Sequence, residues 1–483
     1  MLFFVLLLLA RDASCFNILV LSPAFASSHT NFMAHIADTL TDAGHNVVRR
    51  RRRNLLEWFL LKTFLVPIID EVVRSRLGVK KTKDVVVVER DEEMQQTRVM
   101  FDNMMDTMWN LDVQYPAWEK SFSFWHKLME ASCGNLLRNG KVLEEMRDRR
   151  FDVAILEPLS VCGLAFFRRL NIEKVAVASS CALYDVVLAN TGESNELSYV
   201  PSLTSPTNDR MGIVDRLRNY LFYREYNQNM EKMFDAETRV YQRLLGKDIP
   251  DWRELLPEAS VFFVNSNPYL DFPRPVLQKT VPIGGITVDF DHIKSQKLSE
   301  EWDEILSRRE QNMLISFGSM VKSSEMPVGW KRNLLEVIKS EPNVTFIWKY
   351  ESEDVSFAAG IENVVFSKWV PQPALLNDPR LTAFLTHGGL GSTMELAHCG
   401  KPAVMVPVFC DQVRNAHMLA RQKSAVTVWK TDLASFETVK NAMKTILYDE
   451  SYRKNAVHLA NLINDQPHKP KDLVVKHVEF LAK

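Results

Sequence analysis

Short β-branched runs alternate with helical patterns from one end of this chain to the other. That alternation is the signature of βαβ units folded into parallel sheets. In the first half the runs cover 17–21, 84–88, 152–156, 174–178 and 260–264; in the second, 313–317, 344–348, 364–366, 382–385, 403–406 and 425–428. A helix over 30–43 follows the first run and is closed by Gly44. A long helical pattern over 217–245 reads as an excursion from the sheet. Between the two series Pro273, Pro275, Pro282, Gly284 and Gly285 crowd a turn-rich stretch, which reads as the connection between domains. The expected fold class is α/β, with two doubly wound domains of similar size facing a cleft.

One segment resists this scheme. The second strand should begin near Val47 and Val48, yet Arg49 through Arg53 follow at once. Arginines in succession cannot lie in a buried parallel strand without a large desolvation cost. An insertion over 49–62 is the preferred reading; a basic, apolar membrane-surface element over 49–69 is the sharper one. At the N-terminus the apolar run 2–10 is too short to span a bilayer. Ala13 and Cys15 suit a cleavage site, so residues 1–15 read as a signal peptide leading to an oxidising compartment. No apolar run of membrane-spanning length occurs toward the C-terminus, where a helix is expected from Lys471 onward.

Lys plus Arg (59) nearly balances Asp plus Glu (60), which leaves no global field to hold nucleic acid. Beyond residues 1–15 five of the six cysteines remain, Cys133, Cys162, Cys181, Cys399 and Cys410, an odd number with no metal-ligand spacing. Most of them are expected to pack as small hydrophobes, with no disulfide framework organising the fold. Asn343-Val344-Thr345 is a sequon that could carry a glycan in a lumen.

In open parallel sheets, ligands sit beyond the carboxyl ends of the strands, so polar residues stationed there are the candidates. His29 and Glu157 hold such places in the first half; Ser319, His387, Asp411 and Gln412 hold them in the second. The densest stretch runs from Thr386 through His387, Gly388, Gly389, Leu390, Gly391 and Ser392 to Glu395. Its glycines let a backbone approach an anion, and the helix that follows offers free N–H groups. It is neither a Walker A loop nor a dinucleotide fingerprint. The bland alternative for Ser392 with Glu395 is a capping box.

From Trp369 to Gln412 the sequence resembles the signature of the UDP-glycosyltransferases, the UDP-glucuronosyl- and UDP-glucosyltransferases, and most nearly the nematode members. The residues carrying this are Trp369-Val370-Pro371-Gln372, Thr386-His387-Gly388-Gly389, Ser392, Glu395, Gly400, Pro402, Pro407 and Asp411-Gln412. Ser28-His29, Phe151-Asp152-Val153 with Glu157, and Phe317-Gly318-Ser319 agree. The resemblance implies a GT-B fold of two Rossmann-like domains. The first, 16–280, would bind the acceptor and the second, 281–465, the UDP-sugar; 466–483 is a C-terminal helix with the option of packing back toward the first domain. It implies that Trp369 stacks on uracil with Gln372 beside the nucleoside, and that Ser319, His387 and Ser392, with Gly388 and Gly389, meet the diphosphate. Glu395 would take the ribose hydroxyls, and Asp411 with Gln412 the sugar hydroxyls. His29 would be the general base, oriented by Glu157, in an inverting transfer of glucuronate or glucose to a hydroxyl of a small lipophilic acceptor.

No metal and no cofactor beyond the UDP-sugar co-substrate is implied. The expected compartment is the endoplasmic reticulum lumen or the exterior. Membrane-surface contact and homo- or hetero-oligomerisation stay open. Three departures stand out: Glu157 where many relatives carry Asp, the 49–62 insertion, and no transmembrane segment where relatives have one. The alternative reading is an inactive homologue that binds UDP-sugar or a lipophile, or partners an active enzyme. For the acceptor, Phe101, Met104, Met105, Trp109, Phe122 and Trp125 either line a pocket or pack a core, with core packing preferred.

Overall fold

The computed structural model describes residues 15–23, 27–45, 63–67, 79–82, 84–111 and 118–483. The segment read as a signal peptide, 1–15, lies outside the described residues except for Cys15, as does the arginine-rich stretch 46–62.

A seven-stranded sheet has the order β3-β2-β1-β4-β5-β6-β7. Its strands are β1 (Ile18–Leu21), β2 (Thr63–Pro67), β3 (Asp84–Val88), β4 (Val153–Leu156), β5 (Val175–Ser179), β6 (Val261–Val264) and β7 (Thr280–Pro282). Every pairing is parallel. Two of these strands were not expected. The neighbour of β1 is Thr63–Pro67, in register Leu19↔Thr63, and not a continuation of Val47-Val48. Strand β7 falls inside the turn-rich stretch read as the interdomain connection. As an edge strand it tolerates Pro282, which has no N–H to give to a ladder.

A six-stranded parallel sheet has the order β10-β9-β8-β11-β12-β13. It comprises β8 (Gln311–Ser316), β9 (Val344–Lys349), β10 (Val364–Ser367), β11 (Leu381–Thr386), β12 (Ala403–Met405) and β13 (Ala425–Thr427). Central strands such as Ile18-Leu19-Val20-Leu21 are fully apolar because helices cover both faces of each sheet.

Helix α1 (Ser27–Asp42) lays Phe32, Met33, Ile36, Ala37 and Leu40 on the first sheet, an apolar stripe at helical spacing. It ends at Gly44, whose φ of 88° lets the His45 N–H return to the Leu40 carbonyl at 3.2 Å. Helices α2 (Trp118–Arg138) and α4 (Ile213–Leu245, 33 residues) pack together over α3 (Cys162–Arg169). Cys133 and Cys162 form a disulfide between α2 and α3, which corrects the expectation that these cysteines merely pack. Beside it Glu237 of α4 accepts the N–H groups of Val161 (2.7 Å) and Cys162 (3.3 Å), satisfying donors at the start of α3.

The second sheet carries α5 (Gln372–Asn377), α6 (Leu390–Cys399) and α7 (Gln412–Arg421). The last helix, α8 (Pro470–Ala482), lies on α1, with Lys174 Nζ donating to the Ala482 carbonyl at 2.8 Å and His45 Nε2 2.9 Å from Glu479. Trp109 joins the halves: its indole N–H donates to the Lys322 carbonyl at 2.8 Å and its ring meets Phe317 edge-on at 4.9 Å. Phe101, Met104, Met105 and Trp109 are buried core, whereas Phe122 and Trp125 reach the cleft. Among the described residues no helix is long and apolar enough to cross a membrane.

Candidate active site

Each sheet reverses its strand order once, between β1 and β4 and between β8 and β11. A crevice opens there beyond the carboxyl ends, because connections leave to opposite faces. The two crevices face one another across a cleft of about 320 Å³.

His29 lies in the first turn of α1, directly after β1, and Glu157 directly follows β4. His29 Nδ1 is 2.6 Å from Glu157 Oε1, with the imidazole 15% exposed and the carboxylate fully buried. Ser180, just past β5, completes the group. Its hydroxyl donates to Glu157 Oε1 and sits 2.8 Å from His29 Nδ1, and its own carbonyl is held by Asn265 at 2.8 Å. Burial alone would depress the His29 pKa; the Glu157 charge and hydrogen bond, helped by Asp411, outweigh it and hold the pKa above 6.5. With Nδ1 turned to Glu157, the basic lone pair belongs to Nε2.

Ser180 escapes a reading of the sequence because Ala178-Ser179-Ser180-Cys181 looks like a small-residue continuation of the strand. The signal that singles out Glu157, a polar residue past a strand's carboxyl end, applies to Ser180 equally.

On the opposite wall His387 follows β11 and is clamped between two glycines. A Cβ at Gly318 would stand 2.6 Å from His387 Cε1, and one at Gly389 2.7 Å from Nε2. Burial, and then Lys349, lower the His387 pKa to about 4, so the ring is neutral near pH 7. Helix α6 begins after Gly389 without a side-chain cap, so the capping box of Ser392 and Glu395 is not formed. Gln372 takes both instead, donating from Nε2 to Ser392 Oγ at 3.0 Å and to Glu395 Oε2 at 2.6 Å. Burial raises Glu395 to about 7 against the lowering effect of that amide.

Asp411 follows Cys410, whose φ of 57° is rare for a residue with a side chain and turns the loop toward the cleft. Burial raises the Asp411 pKa, opposed by a hydrogen bond from Asn415 and by the nearby His29. Asn415 Nδ2 donates to Asp411 Oδ2 at 2.8 Å and to the Gly388 carbonyl at 3.0 Å, lacing the two loops together. Gln412 Oε1 is taken by the N–H groups of Val408 (2.9 Å) and Phe409 (3.0 Å), which fixes the side chain at the cleft wall. Ser319 crosses the cleft, its hydroxyl 2.8 Å from that of Ser27.

The cleft lining therefore brings together His29, Ser319, His387, Gly389, Ser392, Glu395, Asp411 and Gln412. Glu157, Gln372 and Gly388 stand one layer behind it. Trp369 is not among the lining residues: its indole is 75% exposed at the outer edge of the second sheet. The wall from the first half is mostly apolar, with Phe122, Trp125, Tyr184, Tyr226, Met230 and Met233, and the wall from the second half is polar.

Two facing parallel-sheet domains with a cleft between their points of strand-order reversal make up the GT-B fold. Among solved structures, a UDP-glucosyltransferase from Polygonum tinctorium superposes with a TM-score of 0.62 at 15% identity, covering 98% of this chain and 99% of that one. The family profile described as UDP-glucoronosyl and UDP-glucosyl transferase matches residues 18–483, and the chain belongs to that family. A putative UDP-glucuronosyltransferase of Caenorhabditis briggsae, ugt-47, is 27% identical over 99% of this chain and 86% of its own length. UDP-glucuronosyltransferase 1A4 of Oryctolagus cuniculus is 30% identical over 79% of this chain and 68% of its own.

Proposed function

We propose that this glycosyltransferase moves glucuronate or glucose from its UDP-sugar to a hydroxyl of a small lipophilic acceptor, with inversion at the anomeric carbon. The observation that carries the reading is the His29–Glu157–Ser180 group at the apolar wall, facing the uncapped start of α6 and Asp411 on the polar wall. His29 Nε2 takes the acceptor's proton as its oxygen attacks, and Glu157 stabilises the imidazolium, contributing on the order of 10²–10⁴ in rate. The departing UDP gains its negative charge where Ser319, neutral His387, Ser392 and the N–H groups of α6 converge. No step requires a metal ion or a cofactor.

Trp369 offers an exposed indole face to uracil. Glu395 accepts the ribose hydroxyls and Asp411 with Gln412 the sugar hydroxyls. The first domain, whose sheet runs through β7, holds the acceptor and the second the donor. The Polygonum tinctorium enzyme is described as capable of glucosylating indoxyl, an aromatic compound that would suit a wall of Phe122 and Trp125. An oxidising lumenal compartment, reached through the leader, is consistent with the Cys133–Cys162 disulfide.

The test is UDP release with UDP-glucuronate and UDP-glucose over a panel of phenols, with the product's anomeric configuration read by NMR. Acceptor-dependent release from one donor with a β-linked product is expected. UDP binding with no release from either donor would favour a binding-only homologue, and an α-linked product would exclude inversion.

A further inference from the structure

The first turns of α4 carry large exposed apolar side chains in a single band. Ile213 is 85% exposed, Val214 73%, Leu217 60%, Tyr220 48% and Leu221 42%. At 3.6 residues per turn these five fall within an arc of roughly 120°. Arg216 borders the arc on one side and Arg218 on the other, and Arg224 continues the band one turn further; all three are exposed, as is Arg210 just before the helix. The acidic residues of 209–224 are both engaged. Asp215 accepts the Gly212 N–H at 3.1 Å, and Asp209 pairs with Arg421 at 2.7 Å. The opposite face, with Asn219, Phe222 and Tyr226, is buried, so the helix cannot rotate the band inward.

An apolar arc edged by arginines on both sides matches a bilayer surface in shape and charge. Aliphatic side chains enter the acyl boundary while guanidinium groups reach back to phosphates. A protein partner would not require cations on both borders. We propose that the first turns of α4 dock on an anionic lipid surface, with Ile213, Val214, Leu217 and Leu221 inserted and Arg216, Arg218 and Arg224 on headgroup phosphates. Tyr226 and Met230, further along the same helix, line the cleft, so the docked turns and the apolar wall belong to one continuous element. The proposal does not depend on the transfer chemistry.

The test is co-sedimentation of the full chain with phosphatidylcholine vesicles, with and without about one-third phosphatidylserine. Binding to the anionic vesicles is expected. It should weaken about tenfold or more in an Ile213→Asp/Leu217→Asp double variant and in an Arg216→Glu/Arg218→Glu double variant. Circular dichroism and the thermal midpoint report that both variants stay folded. Equal binding by wild type and both variants would overturn the proposal, as would no binding at all. So would self-association without vesicles that Ile213→Asp/Leu217→Asp abolishes, since the band would then be a protein interface.

Discussion

At the scale of single residues, the proposed chemistry rests on two carboxylates with different partners. Glu157 has an imidazole partner in His29, and their coupling, helped by Asp411, holds the imidazole pKa above 6.5 despite desolvation. A base must be neutral to work, so kcat/KM should fall on the acid side along a limb lying above pH 6.5. In Glu157→Gln the larger raising influences are gone, leaving burial opposed by Asp411 alone; the limb should move to lower pH, and the maximal rate should drop. An unmoved limb in the pH–rate profile would disconnect Glu157 from His29. The sign for stability is the reverse of the catalytic one. A raised histidine pKa stabilises the fold fully below pH 6.5, and that contribution is lost as pH rises through the folded value.

Glu395 takes a hydrogen bond from the Gln372 amide, and burial raises its pKa to about 7. Ribose hydroxyls are best accepted by the carboxylate, so UDP affinity should weaken as pH falls below about 7. Titration calorimetry across pH should show this slope in wild type and its absence in Glu395→Gln. His29 and Glu157 were legible in the sequence because each sits alone past a recognisable strand end. Ser180 was hidden among small residues that a strand could also contain. The pairing of Gln372 with Glu395 was hidden because it joins side chains 23 positions apart.

At the scale of elements, glycines decide how closely the loops approach. Gly388 has φ of 81°, and a Cβ there would stand 3.1 Å from the Gln412 carbonyl oxygen. Gly388→Ala should cost about 1–2 kcal/mol from the left-handed backbone alone. It should also weaken UDP-sugar binding, since the Asn415 bond to the Gly388 carbonyl positions Asp411; thermal melts with and without the UDP-sugar separate the two effects. The Cys133–Cys162 bond spans a sequence separation of 29 and should contribute about 3–4 kcal/mol on the chain-entropy scale. Reduction, or replacement of both cysteines by Ala, should lower the thermal midpoint while leaving UDP affinity unchanged, because the bond lies in the helical layer away from the polar wall. Neither cysteine's spacing announced the bond, since the contact between α2 and α3 is made by packing on α4. The strands were legible from their β-branched runs except β2 and β7, both of which end in proline and resemble turns.

At the scale of the whole molecule, two sheets of the same winding place their reversal points mouth to mouth, and chemistry collects where they meet. That duplication was readable from the repeated alternation of strand and helix. What lay beyond the sequence was the exposed setting of Trp369 and the way Trp109 and Lys322 tie the halves. The measurement that bears most directly on the proposed mechanism compares wild type with His29→Ala, reading acceptor-dependent UDP release and UDP affinity on the same preparations. His29→Ala should lose on the order of 10²–10⁴ in turnover with UDP affinity intact, because the imidazole acts on the acceptor and not on the nucleotide. Turnover that survives the substitution, or a parallel collapse of UDP binding, would contradict its role as the base.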